Sequence, residues 1–450
     1  MQIQETIDAI LSRFQDRLAT RAIIIAPGAA SASAQTLARH LPAGPWLIAS
    51  DDNTWAAAGA ALTADLDSHG LPWVRYAVPT PEGERWPGCD DTSISAFQAA
   101  MTEGSYSAGV AVGAGTINDI VKQACHNLAR PMACVATSPS MNGYTSAIAA
   151  VLSQGVKTTI PSTPPRVVIA DTQVLADSPY RMIASGLGDL LSKPVSNADW
   201  TVSARLIGSP HSAEAMEVIE LGSSMLDGVA KRLPARDLDA VAGLTGSLML
   251  SGLAMSIAGS SSPASGGEHL ISHYIDMTAH TFDLPYDFHG CQVGVGTLTA
   301  AHLYERLRAY GPDAIDVDAR VAALLPWDEY AALLTGRFGP LAPAVLEHAR
   351  RGYPTPDALR ARLITLKQTW PALFEEASRT LRTRASIEAE LLDAEAPVRF
   401  AQLDITRSRA REAIVWSKDI RARYTILHVC WELGMLDIWA DEALELLYSA

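Results

Sequence analysis

The sequence predicts an α/β domain followed by an all-helical one: a Rossmann-like parallel sheet with its helices over residues 1–180, then helices over residues 181–450. Three observations predict it. Residues 1–180 alternate short, continuous apolar runs with helix-like patterns, as parallel strands buried on both faces do. After Asp177 helical periodicity runs to the C-terminus. At 450 residues, 48% hydrophobic and 19% charged, the chain has material for two or three cores and is too apolar to be disordered.

The strands follow in order. Ala22-Ile23-Ile24-Ile25-Ala26 is an apolar run closed by Pro27-Gly28, with a helix behind it through Leu41. Pro45–Ala49 is the second and ends at Ser50-Asp51-Asp52-Asn53. Trp73–Val78 is the third; Gly109–Gly113, the fourth, enters a glycine turn directly. Met132–Ala136 and Arg166–Ala170 complete the set. A hinge is expected over Ser178–Gly188. Beyond it, Pro210, Pro234, Pro285 and Gly311-Pro312 break the helical pattern, and the stretch 401–447 reads mainly as helix. No residue from Ala240 to Gly267 is charged, but the density of Gly, Ser and Thr there suits a packed core helix better than a lipid-facing span.

Composition narrows the function. With 35 Lys+Arg against 49 Asp+Glu, the net charge of −14 argues against general nucleic-acid or anionic-membrane binding. It leaves room for a small basic pocket. The five cysteines, Cys89, Cys125, Cys134, Cys291 and Cys430, form no CxxC pair, so neither a disulfide framework nor a thiolate zinc site is expected. The start, Met1-Gln2-Ile3-Gln4-Glu5-Thr6, lacks the basic and apolar regions of a signal peptide. The expectation is a cytoplasmic homo-oligomer without a membrane span, acting on a small molecule.

Two groups of residues carry chemistry. Gly113-Ala114-Gly115-Thr116-Ile117-Asn118-Asp119 joins a strand to a helix, where backbone N–H groups and the helix dipole can meet a pyrophosphate. It is not a full GxGxxG, since Asn118 holds the third glycine position, and an ordinary strand–helix turn remains the alternative. Asp51 at a strand end can accept from an adenosine ribose and repel a 2′-phosphate, or can simply cap a helix. Thr137-Ser138-Pro139-Ser140 ends another strand, as ligand-facing or merely turn-forming hydroxyls. On the other side, His269 and His273 are four apart, on one face of a helix. Asp189 and His289 supply a carboxylate and another imidazole. A carboxylate and two imidazoles leave an open position on a catalytic metal ion, although an i,i+4 histidine pair can arise by chance among 11 His. His280 reads as a surface residue.

At these residues the chain resembles the sn-glycerol-1-phosphate dehydrogenases, chiefly their bacterial branch, within the superfamily of iron-containing alcohol dehydrogenases, glycerol dehydrogenases and dehydroquinate synthases. The matching segments are Gly115–Asp119, Thr137–Ser146, Gly186–Lys193, Pro263–His273, His289-Gly290 and Ile420–Thr425, in family order. The resemblance implies a dehydroquinate synthase-like fold. It implies that Asp189, His269 and His289 hold one divalent metal, zinc first with iron or nickel as alternatives. Gly113, Gly115, Thr116, Ile117, Asn118, Asp119, Thr137, Ser138, Pro139, Ser140 and Ser146 would contact NAD(H) or NADP(H), and Asp51 at the ribose would favour NAD. His273 would touch substrate and relay a proton, and Asn142 and Asp189 would orient the substrate. Lys193 is a candidate for a substrate phosphate or else a solvated lysine.

The chain departs from the family at Asn142, where Asp is usual, at Ala114, where glycine is usual, and at Cys291, where a polar residue is common. The expected reaction is hydride transfer between dihydroxyacetone phosphate and sn-glycerol 1-phosphate. Asn142 motivates a sister dehydrogenase acting on another polyol, hydroxy-phosphonate or carbonyl as the alternative. A dehydroquinate-synthase-like lyase and a non-catalytic nucleotide-binding protein stand further off.

Overall fold

The computed structural model describes residues 3–83, 86–153 and 156–448. They divide into two compact units, Met1–Leu190 with Glu214–Ser261, and Leu191–Ala213 with Ser262–Ala450. This division differs from the single boundary expected at residue 180. The segment expected to be a hinge lies largely within a continuous helix, Tyr180–Leu190. The stretch Glu214–Ser261 packs with the N-terminal unit because its long helix is apolar on every side and must be enclosed.

In the first unit, eight strands form: β1 (Ala22–Ala26), β2 (Trp46–Ser50), β3 (Trp73–Ala77), β4 (Ala108–Gly113), β5 (Met132–Ala136), β6 (Ile148–Ser153), β7 (Val156–Pro161) and β8 (Val167–Asp171). Six of them make one sheet in the order β1-β8-β5-β4-β2-β3. All its pairs are parallel, with Ala49 opposite Ala111 and Gly113 opposite Ala136. The fully buried β2, β4, β5 and β8 are the continuous apolar runs of the sequence. The chain leaves β2 toward β3 and leaves β4 toward β5, in opposite directions along the sheet. That switch opens a crevice at the C-terminal ends of β2 and β4, where parallel α/β sheets bind their ligands. β6 and β7 form a separate antiparallel hairpin that the sequence reading did not anticipate.

The helices that position the chemistry of this unit are α1 (Gly115–Asn127), α2 (Tyr180–Leu190) and, further along, Leu238–Ala258. The last begins at Asp237, whose side chain accepts from Ala240 N at 2.9 Å, and ends at Gly259 in the left-handed region (φ 66°). It is long and apolar enough to cross a membrane, but 89% of its apolar window is buried within the protein, as a core helix would be. In the second unit, α3 (Lys193–Ile207) precedes Leu238–Ala258 in the chain, which is therefore α4. α5 (Gly267–Phe282) and α6 (His289–Tyr310) follow and pack closely together. A Cβ at Gly296 would fall 2.7 Å from Glu268 O, so glycine is what lets α6 approach α5 so closely. Among the described residues, every element of this unit is helical.

Candidate active site

In the first unit, Gly113 closes β4, and a Cβ there would sit 2.5 Å from Ile117 Cβ. The strand can run straight into α1 only without that side chain. Ala114 caps α1 with no side-chain hydrogen bond, so the first amides of the helix are not satisfied by a capping side chain. Gly115, Thr116 and Ile117 form its first turn. Asn118 and Asp119 are buried and engaged internally: Asn118 Nδ2 donates to Asp119 Oδ1 at 2.9 Å, Lys122 Nζ to the same oxygen at 3.1 Å, and Ala150 N to Asp119 Oδ2 at 2.9 Å. These bonds tie α1 to the hairpin, so the aspartate anchors the turn from behind.

Asp51 follows β2 and forms a capping box: its Oδ1 accepts from Thr54 N at 2.7 Å, and Thr54 Oγ1 bonds to Asp51 N at 3.1 Å. The capping alternative is thus realised, at the crevice end of the strand. Arg75 on the neighbouring strand donates to Asp52 at 2.7 Å and lies over the Trp55 ring. Of the strand-end hydroxyls, Ser138 Oγ donates to Ser140 Oγ at 3.0 Å, while Tyr144 OH donates to Ser138 O at 2.8 Å. Thr137 N bonds to Gly113 O at 3.2 Å, joining the two strand ends. Ser146 is buried, with its hydroxyl bonded to Gly143 O and Ile148 O.

The turn after Ser140 is held against two helices by close approach. A Cβ at Gly186 of α2 would meet Pro139 O at 1.8 Å, and one at Gly252 of α4 would meet Thr145 Oγ1 at 2.1 Å and Asn142 O at 2.5 Å. This packing brings Asn142 to Asp189, a fully buried carboxylate near the end of α2. Asn142 N donates to Asp189 Oδ2 at 3.1 Å and Asn142 Nδ2 to Asp189 Oδ1 at 3.3 Å. The carboxamide also lies 3.3 Å from Ser251 Oγ. Asn142 is therefore a donor to the aspartate, a task an Asp side chain cannot perform at neutral pH.

In the second unit, His269 and His273 on α5 and His289 at the start of α6 form a tight cluster. Ring centroids are 5.2 Å apart for His269–His289, 5.4 Å for His273–His289 and 6.1 Å for His269–His273. Each of His273, Asp276 and His289 offers a ligand atom within 4.8 Å of the other two. Asp276 was not foreseen, although it continues the His269 and His273 face of α5 at i+7. Behind the rings lies a layer of oriented polar groups. Glu268 Oε1 is 2.8 Å from His269 Nδ1, and Ser272 Oγ is 3.2 Å from His289 Nδ1. Gln292 Nε2 donates to Ser272 Oγ at 3.1 Å and to Asp276 Oδ1 at 2.7 Å. Imidazoles backed by such acceptors suit a divalent cation, whose ligands must be neutral and fixed in orientation.

Asp199 also lies in this layer. Burial and the adjacent Glu268 push its carboxyl up to about 7. Lys193 is buried, not solvated, with Nζ 3.1 Å from both Ser192 Oγ and Ala264 O. His280 is exposed, as expected of a surface residue.

A family model described as iron-containing alcohol dehydrogenase matches residues 24–179. A glycerol-1-phosphate dehydrogenase (NAD(P)+) of Bacillus licheniformis is 31% identical over 330 residues, covering 73% of this chain and 68% of the relative. The chain belongs to the glycerol-1-phosphate dehydrogenase family. Another member, from Bacillus velezensis, is 33% identical over 270 residues, covering 59% of this chain and 66% of that relative. One from Pyrococcus furiosus is 37% identical over 195 residues, covering 43% of this chain and 55% of the relative. The match thus spans about two thirds of the two bacterial family members and about half of the archaeal one. Among solved structures, a glycerol dehydrogenase from Schizosaccharomyces pombe superposes with a TM-score of 0.60 at 13% identity, covering 95% of this chain and 91% of that one. A probable glycerol dehydrogenase from Sinorhizobium meliloti 1021 gives 0.61 at 16% identity, covering 94% and 98%. These two likenesses establish the fold.

Proposed function

We propose that this chain interconverts dihydroxyacetone phosphate and sn-glycerol 1-phosphate by NAD(P)-linked hydride transfer, with one divalent metal held by Asp189, His269 and His289. The observation that carries the reading is the histidine cluster of α5 and α6 with its layer of oriented acceptors, in a chain of this family. Zinc is the expected ion, since imidazole and carboxylate ligands with an open position suit it. When bound, the ion would polarise the substrate carbonyl and the nicotinamide would exchange hydride with that carbon.

The residues of this chain supply the rest. The first turn of α1 and the hydroxyls of Thr137, Ser138 and Ser140 offer donors to the coenzyme at the sheet's switch point. Asp51, at the neighbouring strand end, favours the free ribose hydroxyls of NAD. Asn142 holds Asp189 in place and can share its carboxamide with a substrate hydroxyl. His273, whose ring lies 5.4 Å from that of His289 in the same cluster, is suited to hold or move the proton at the substrate oxygen. Lys193 can assist a substrate phosphate only if its present bonds to Ser192 and Ala264 are exchanged. A cytoplasmic setting is supported by the few cysteines of the sequence, five with no CxxC pair among them. The test is His269→Ala in zinc-loaded protein: turnover of dihydroxyacetone phosphate should vanish while NADH binding persists. Retained turnover would overturn the assignment.

A further inference from the structure

Two buried carboxylates stand side by side at the start of α5, and they are used differently. A Cβ on Gly266 would fall 2.5 Å from Asp199 Oδ2 and 2.7 Å from Glu268 Oε2, so both crowd one glycine. Asp199 is saturated by fixed donors: Gly267 N at 2.7 Å, Ile426 N at 2.7 Å and Tyr304 OH at 2.6 Å. It clamps the start of α5 to the first turn of the helix Ile426–Glu432 and to α6, as a structural carboxylate does. Glu268 is fully buried yet takes a single backbone bond, from Gly266 N at 2.7 Å. The same oxygen faces His269 Nδ1 at 2.8 Å, and Oε2 has no hydrogen-bond partner among the described residues. The Arg423 guanidinium, bonded to Ser265 O at 2.5 Å, lies near enough to both carboxylates to offset part of their charge. A buried carboxylate is costly unless paired. A role in backbone clamping alone does not account for one spent on an imidazole.

We propose that Glu268 is a positioning residue for the metal site. An ionised carboxylate can only accept, so Nδ1 of His269 carries the ring proton and Nε2 is left as the ligand atom. The bond fixes the ring's rotation as well as its tautomer, and the negative charge behind it strengthens the imidazole as a donor to a cation. This inference rests on the reading that His269 holds the ion.

The experiment measures Zn2+ affinity of metal-free protein by competition with a chromophoric chelator, for wild type, E268Q, E268A and H269A. NADH binding and thermal unfolding of the metal-free forms are measured alongside. E268Q keeps an acceptor without the charge and should weaken Zn2+ binding about 10-fold; E268A should weaken it about 100-fold. NADH binding and the metal-free melting curve should stay near wild type in E268Q. If H269A loses Zn2+ affinity while E268Q and E268A keep it, the positioning role is overturned and the metal site stands. If H269A itself binds Zn2+ like wild type, the site reading fails first. If neither Glu268 variant folds, Glu268 is a structural carboxylate like Asp199, and the proposal is overturned.

Discussion

Asn142 shows how one exchanged residue rewires its surroundings. Its backbone and side-chain amides both donate to Asp189, and the side chain reaches Ser251 as well. In Asn142→Asp the side-chain donor is replaced by a second carboxylate against the first. Like charges about 4 Å apart repel by about 1–4 kcal/mol between aqueous and surface-like dielectrics. Metal-free N142D should therefore unfold at lower urea than wild type by about that free energy, and Zn2+ should restore more stability to it than to wild type. With metal bound, the restored family carboxylate should raise kcat/KM for dihydroxyacetone phosphate. Equal urea stability of the two metal-free proteins would place the Asn142 carboxamide away from Asp189. Asp51 yields a second test at this scale. Steady-state kinetics should show NADH used at least as well as NADPH, and Asp51→Ser should lower that ratio. A strong NADPH preference in wild type would remove Asp51 from the ribose.

At the scale of elements, Gly186 of the Gly186-Leu187-Gly188-Asp189 motif explains itself through packing. Gly186 lets α2 rest on the Pro139 carbonyl, which sets the height of Asp189 beside Asn142. Gly186→Ala should cost about 1–3 kcal/mol in urea denaturation, since the obstacle is backbone and cannot rotate away. It should also displace Asp189 and weaken metal binding; unchanged stability would mean that the helix is not seated on that carbonyl.

The parallel strands were legible because each is a continuous apolar run: Met132–Ala136 matches β5 residue for residue. The hairpin of β6 and β7 was not, because its buried positions alternate only at Ala149 and Val151 and its second half is polar. The two compact units do not follow one cut in the sequence, because α4 follows α3 in the chain yet joins the sheet's unit, a choice made by burial and invisible to local periodicity. In the site, the histidines announced themselves by type and spacing. Glu268 and Gln292 did not, since nothing in a lone glutamate or glutamine says that it faces a histidine nitrogen or a serine hydroxyl.

Across the whole molecule, the histidines also set an acid limit. Burial holds His40, His211, His302, His348 and His428 below their ordinary value, His428 the furthest, with Lys418 and Arg362 adding to the effect. His428 Nδ1 bonds to Thr425 N at 3.2 Å and must be unprotonated to accept it. A depressed histidine contributes stability that is present above its unfolded value near 6.5 and is lost as pH falls toward its folded value. Asp199 and Glu432, both raised by burial, work in the opposite direction, so the comparison with a variant is needed. The stability advantage of wild type over His428→Gln should shrink as pH is lowered below about 6.5; an advantage independent of pH would mean that His428 is not held neutral.

The fold, the crevice at the β2 and β4 strand ends and the histidine cluster with its acceptors acquire one purpose if this chain is a metal-dependent glycerol-1-phosphate dehydrogenase. The most direct measurement follows NADH oxidation by zinc-loaded protein given dihydroxyacetone phosphate, with dihydroxyacetone and other small carbonyls in parallel. Zinc-dependent oxidation with dihydroxyacetone phosphate as the best substrate, yielding sn-glycerol 1-phosphate and abolished by chelation, is the predicted result. Protein that binds zinc and NADH yet leaves dihydroxyacetone phosphate untouched, or prefers an unphosphorylated carbonyl, would contradict it.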